Sequence, residues 1–180
     1  MNLIQLLAIG EMDPAAMESL RAGLAAEFDA ECERLDAAFD PAPSLHPERQ
    51  QYFSSDILNR MQRELAPARG LLLGVTPLDL YIPILTFVFG EAQMKGACAV
   101  VSTHRLRQEF YGLPPDRGLL QARLLKEAVH EIGHALGLTH CDDYRCAMAA
   151  SHAVELIDVK GSSLCAGCRA LCPAPSHWPA

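Results

Sequence analysis

Within the stretch HEIGHALGLTHC, residues 130–141, His130, Glu131 and His134 read H-E-x-x-H. On a helix, two histidines four residues apart project from nearly one face, so both imidazoles can grip a single ion. Glu131 lies between them and can reach a water on that ion without itself being a ligand. Gly137 allows a sharp turn, and His140 can swing back as a third nitrogen ligand. Three neutral imidazoles leave a fourth position open, as expected of a catalytic rather than a structural zinc. Zinc lowers the pKa of its bound water to about 7 and polarises a carbonyl. Glu131 would take the water's proton and later hand it to the leaving amine, which together amount to hydrolysis of a peptide bond. The competing reading of the short motif is a core helix whose histidines are satisfied by hydrogen bonds.

A second set of groups begins at the next residue. Cys141, Cys146, Cys165 and Cys168 form a C-x4-C and a C-x2-C pair, a spacing suited to four thiolates around a structural zinc. The competing readings are buried small hydrophobes or a redox pair. Because Cys141 directly follows His140, ordering the cysteine site would fix the loop that carries the third histidine. Cys32 and Cys98 read as buried free thiols, and Cys172 as an unassigned thiol that could compete with Cys168.

The elements that must position these groups follow from the rest of the chain. At 180 residues, half of them hydrophobic and about a fifth charged, the sequence suits one compact domain or two subdomains with a shared interface. A net charge of -7 without a basic run argues against nucleic acid, and the longest apolar stretches are too short to span a bilayer. The start MNLIQLLAIGEMDP has no positive charge, so it reads as an opening strand of a cytoplasmic protein rather than a secretory signal. Residues 2–9 predict a strand, Asp13-Pro14 a helix start running to about Phe28, residues 32–39 a second strand, 41–48 a loop, Phe53–Leu65 a helix and 71–75 a strand. That alternation predicts an α/β protein with a mostly parallel sheet covered by helices. Between Tyr81 and Ser102 two apolar runs, ILTFVFG and ACAVVS, predict a hairpin or a strand at the sheet margin, where an extended peptide could add itself. Pro114, Pro115 and Asp116 announce the motif helix, whose stripe is Leu120, Leu124, Val129, Ile132 and Leu136, with Arg123 and Lys126 on its polar side. After Met148 the periodicity fades into a proline-rich end.

HExxHxxGxxHC, followed by C146-x-M148 and a later CxxC, resembles the archaemetzincins, a metzincin-clan family of zinc metallopeptidases. DLYIPILTFVFGEA, VVSTHRL and RLLKEAVHEIGHALGLTHC extend the resemblance from about Leu80 to Cys168. It implies His130, His134 and His140 as ligands of a catalytic zinc, Glu131 as general base, the four cysteines as ligands of a second zinc, and Met148 as an apolar floor beneath the histidines. The implied fold is a metzincin-like α/β (α+β) domain. Its upper subdomain, about 1–137, carries a twisted, mixed, mostly parallel sheet and two long helices, and a cleft separates it from a small zinc-stapled lower subdomain, about 138–180. The edge strand around Gly90 to Val100 would line the cleft and pair with an extended substrate.

The expectation is therefore a zinc-dependent peptidase with two zinc ions per chain. It would be a monomer acting on a peptide or small-protein substrate, with no nucleic-acid or membrane partner. A catalytically weak peptide-binding module of the same shape is the alternative, and a hydrolase of non-peptide amides would use the same chemistry. Tyr144 is not expected to stabilise an oxyanion, and His46, His104 and His152 have no ligand spacing.

Overall fold

A computed structural model describes residues 2–65, 67, 69–174 and 178. The proline-rich end at 175–177 and 179–180 lies outside the described residues. Along the chain run β1 (Leu3–Ala8), α1 (Pro14–Phe28), β2 (Glu31–Leu35), β3 (Leu45–His46), β4 (Gln51–Phe53), α2 (Ser54–Leu65), β5 (Leu71–Thr76), β6 (Leu80–Tyr81), β7 (Gly90–Ala92), β8 (Cys98–Ser102), α3 (Arg117–Ala135), α4 (Val154–Val159) and α5 (Ala166–Leu171). The five-stranded sheet has the order β2-β1-β5-β8-β7; the first four strands are parallel and β7 runs antiparallel at the edge. A three-stranded sheet, β3-β4-β6, stands beside it. Among the described residues, no helix is long and apolar enough to cross a membrane.

The central strands LIQLLA and LLLGVT are nearly unbroken apolar runs because helices cover both faces of the sheet, so alternation with polar residues is not required. Leu6, Leu73 and Val101 face α1 and α3, sharing a core with Met17, Leu24, Leu124, Val129 and Ile132. Leu7, Leu72 and Val100 face the opposite way onto Ile57, Leu58 and Met61 of α2. α1 starts where expected, with Pro14 at its first turn and Asp13 Oδ1 accepting from Ala15 N at 3.1 Å.

Three expectations need correction. β2 ends at Leu35 rather than 39, since it pairs only along β1, whose partner residues stop at Leu7. The stretch 41–48 contains a 3-10 turn at Ala42–Ser44 and the short β3, which pairs with β4. Most of the apolar run at 82–89 is a loop, not a strand. Arg49 Nη2 donates to Leu85 O and Thr86 O at 3.2 and 3.0 Å, and Gln51 Nε2 to Thr86 O at 2.9 Å, so side chains occupy carbonyls that a strand neighbour would have used. The hairpin itself is formed by β7 and β8.

α3 is the element on which the site depends. Asp116 caps it, accepting from Leu119 N at 2.8 Å, and it ends in a Schellman motif: Leu138 N donates to Gly133 O at 2.8 Å and Gly137 N to His134 O at 2.9 Å, with Gly137 at φ +94°. Downstream of Gly137 the described chain holds the two six-residue helices α4 and α5. It folds back under α3, with Cys146, Ala147, Met148, Ile157 and Leu164 in the same core as the sheet.

Candidate active site and thiolate cluster

His130 and His134 lie on the last turns of α3, and the Schellman turn returns the chain so that His140 joins them; one ligand nitrogen from each of the three lies within 4.8 Å of the others. His130 Nδ1 donates to Ala147 O and His134 Nδ1 to Leu138 O, each at 2.8 Å. With both Nδ1 protons so committed, the two Nε2 atoms carry lone pairs, and they face each other at 3.0 Å. Two acceptors at that separation repel unless a cation lies between them or beside them, and the carbonyl partners are those that orient metal-ligating imidazoles. The donor set therefore fits a zinc ion. Burial, with Lys160 and His134 adding to it, lowers His130 to about 3, and burial also lowers His134, so both rings are neutral and ready to act as ligands.

Glu131 is buried beside His130, and its carboxyl lies against the edge strand. A Cβ on Gly90 would stand 2.7 Å from Glu131 Cγ, so a glycine at the first residue of β7 is what lets that carboxyl sit there. Burial pushes Glu131 well above the usual carboxylate range, with Glu127 one turn earlier adding to the shift and Lys160 opposing it. His130, Glu131, His134 and His140 line one cleft of about 500 Å³ together with Phe87, Phe89, Gly90, Glu91, Ala92, Ala150 and His152. One wall is apolar, and the exposed Leu85 sits at its rim. Glu91, from the edge strand, accepts hydrogen bonds from Ser54 Oγ and, at 2.7 Å, from Ser55 Oγ at the start of α2.

Met148 packs against Gly133, the residue just before His134 on α3. A Cβ at Gly133 would come within 3.0 Å of Met148 Cε and closer still to its sulfur. Replacing Gly133 with alanine is therefore expected to overpack this contact and lower stability by about 1–3 kcal/mol, despite alanine's better helix propensity. A urea titration checks this; a variant as stable as the parent would mean that Met148 moves aside freely.

Cys141, Cys146, Cys165 and Cys168 also converge, with one sulfur from each within 4.8 Å of the others and Cys141 Sγ 3.8 Å from Cys165 Sγ. All four are free thiols. Cys146 Sγ accepts from Met148 N at 3.4 Å and from Cys165 N at 3.3 Å, the amide-to-sulfur pattern that stabilises thiolates. The amide of Cys168 lowers Cys165 to about 7. The set fits a structural zinc. Cys172 is not part of this group, while Cys32 and Cys98 are buried, burial raising each to about 11. Tyr144 is 59% exposed, stacks with Arg145 and does not line the cleft. His104 contacts Pro77 O through Nδ1, and His152 is exposed at the cleft rim.

Arg123, expected on the polar side of α3, is 6% exposed. Its guanidinium pairs with Asp158 at 2.6 Å and donates to Leu106 O at 2.8 Å, because α4 packs over that side of the helix. The spacing argument also passes over Glu127 and Lys160. Lys160, 2% exposed, places its Nζ 2.7 Å from Glu127 Oε1, close enough for an ion pair though outside hydrogen-bond geometry. The i, i+4 spacing of Glu127 and Glu131 was the available signal for the first; nothing local marks the second.

Residues 54–172 match the model of peptidase family M54. The archaemetzincin of Methanocaldococcus jannaschii is 44% identical over 137 residues, 76% of this chain and 74% of that protein. The archaemetzincin of Haloarcula marismortui is 32% identical over 92% of this chain and 96% of its own length. Among solved structures, a zinc-dependent peptidase from Methanocorpusculum labreanum superposes with a TM-score of 0.85 at 33% identity, covering 94% of this chain and 100% of that one. The archaemetzincin of Archaeoglobus fulgidus, complexed with malonate, gives 0.80 at 36% identity over 94% and 99%.

Proposed function

Because this chain belongs to peptidase family M54, a family of zinc metallopeptidases, we propose that it hydrolyses peptide bonds with Glu131 as general base and His130, His134 and His140 as ligands of the catalytic zinc. The observation that carries the reading is the pair of unprotonated Nε2 atoms facing each other at 3.0 Å, with Glu131 beside them in the same cleft. Zinc bound there supplies Lewis acidity and an acidified water, and three protein ligands leave a position for it to do so.

The chain's own groups do the rest. Ala147 O and Leu138 O fix the tautomer and orientation of the two helical imidazoles. Glu131 Oε atoms hold the proton taken from the attacking water and deliver it to the leaving nitrogen, a transfer aided by a carboxyl whose affinity for a proton is raised. β7, paired among the described residues with β8 alone, offers its other edge to the backbone of an extended peptide, and the wall around Phe87 and Phe89 receives a side chain. We assign Cys141, Cys146, Cys165 and Cys168 to a second, structural zinc, and we draw the boundary between an upper and a lower part at Gly137.

The test is digestion of a peptide library by protein assayed for zinc. Two zinc ions per chain and cleavage products with free amino and carboxyl ends are expected; a library left intact by fully loaded protein would favour a peptide-binding module over a peptidase.

A further inference from the structure

The three-histidine site rests on a turn, Ala147-Met148-Ala149, that belongs to a different part of the chain from α3. Ala147 supplies the carbonyl that orients His130, and Met148 supplies the sulfur under Gly133. Something must hold this turn in register with the helix, since a functional constellation tolerates displacements of only about 0.5 Å.

Lys160 touches the parts concerned. Its Nζ lies 2.7 Å from Glu127 Oε1 on α3, 3.3 Å from Ala149 O on the turn and 3.5 Å from His130 Nδ1. Its own backbone is anchored: Lys160 N donates to Leu156 O at 3.3 Å, Arg123 grips Asp158, and Lys126 Nζ donates to Ile157 O and Asp158 O at 3.0 and 3.1 Å. Arg123, Lys126 and Glu127 on α3 thus form one grip on the end of α4, with Lys160 as its innermost member.

Stability alone is a poor reason for this arrangement. Burying an ammonium and a carboxylate costs desolvation that their attraction often fails to recover, and apolar substitutes of similar volume are commonly as stable. A methionine and a leucine would fill the space. What they would not do is tie the carbonyl of Ala149 to α3.

We propose that Lys160 is a positioning residue of the hydrolytic site, locking the turn that carries Ala147, Met148 and Ala149 onto the face of α3 that carries Glu127 and His130. The proposal deepens the peptidase reading and rests on it for its kinetic part.

The experiment compares Lys160→Met, Glu127→Gln and the double variant with the parent in three measurements: melting temperature, zinc affinity of the histidine site by chelator competition, and kcat and KM on a peptide cleaved by the parent. Cobalt-loaded samples separate the two metal sites, since thiolate absorption in the near ultraviolet reports the cysteine cluster alone. Lys160→Met should melt earlier, because Glu127 is left buried without a counter-charge, and the double variant should regain that loss. In both proteins the histidine site should bind zinc about tenfold more weakly and kcat should fall about tenfold with KM little changed, the size of effect seen when groups that orient ligands are removed. Glu127→Gln should keep zinc affinity and kcat near the parent's, since its amide oxygen still faces Lys160 and the contact of Lys160 with Ala149 O remains; a double variant that also stays at the level of the Glu127→Gln protein would show that Lys160 only balances a charge, and would overturn the proposal. If the parent cleaves no peptide, the peptidase reading falls, and zinc affinity still decides the role of Lys160.

Discussion

Replacing Glu131 with glutamine is expected to lower kcat/KM for peptide cleavage by about 10²–10⁴-fold, the range that a positioned general base contributes, while leaving two zinc ions in place. Glutamine keeps the shape of the side chain, so its fit against Gly90 is preserved, but it cannot take up a proton. The same change should leave the melting temperature unchanged or raised. Glu131 is 5% exposed and burial disfavours its charged form, so an uncharged amide costs no more to bury. Activity and stability moving apart in this way separate a chemical role from a structural one. A glutamine variant that cleaves at the parent's rate would remove Glu131 from the reaction, whatever its zinc content.

The parts of this site that could be read in the sequence are those set by local geometry. His130, Glu131 and His134 share one helix, where spacing alone decides which side chains meet, and Gly137 marks the turn that returns His140. Asp13-Pro14 and Asp116 mark helix starts by capping chemistry that operates within three residues, and α1 and α3 begin there. What stayed hidden depends on partners far along the chain. Arg123 looks like a solvated residue until α4, some 35 positions later, brings Asp158 over it. Lys160 looks like any exposed lysine because the carboxylate that pairs with it, on Glu127, and the carbonyl that accepts from it, on Ala149, come from other segments. The run at 82–89 has the composition of a strand, yet Arg49 and Gln51, from about 35 residues earlier, take its carbonyls and leave it as the wall of the cleft. Gly133 has the opposite lesson: its position inside H-E-x-x-H is visible, but the reason for a glycine there, the sulfur of Met148, is not.

Changing Cys146 to serine is expected to remove both metals, whereas changing His140 to alanine should remove one. Cys146 is 1% exposed, and its sulfur accepts amides from Met148 and from Cys165, so it joins the two halves of the thiolate cluster. A hydroxyl is a far poorer zinc ligand than a thiolate and lies farther from both amides. Apparent binding energies for structural zinc run to about 10–16 kcal/mol, comparable with the whole stability of a domain, so losing that ion is expected to loosen the segment after Gly137 outright. The consequence for the histidine site runs through short covalent and hydrogen-bonded steps. Cys141 follows His140 directly and its amide donates to Met148 O at 3.0 Å, while Ala147 O orients His130. His140, by contrast, is exposed and contributes only its ring, so its alanine variant should keep the cysteine-bound zinc and a melting temperature near the parent's. Zinc counted per chain after gel filtration, alongside thermal melting, distinguishes the cases: about one ion and a near-parental melt for the His140 variant, little zinc and an early melt for the Cys146 variant. If the Cys146 variant instead kept a full zinc at the histidines and the parent's activity, the two centres would be neighbours without being coupled, and the adjacency of His140 and Cys141 would carry no energetic weight.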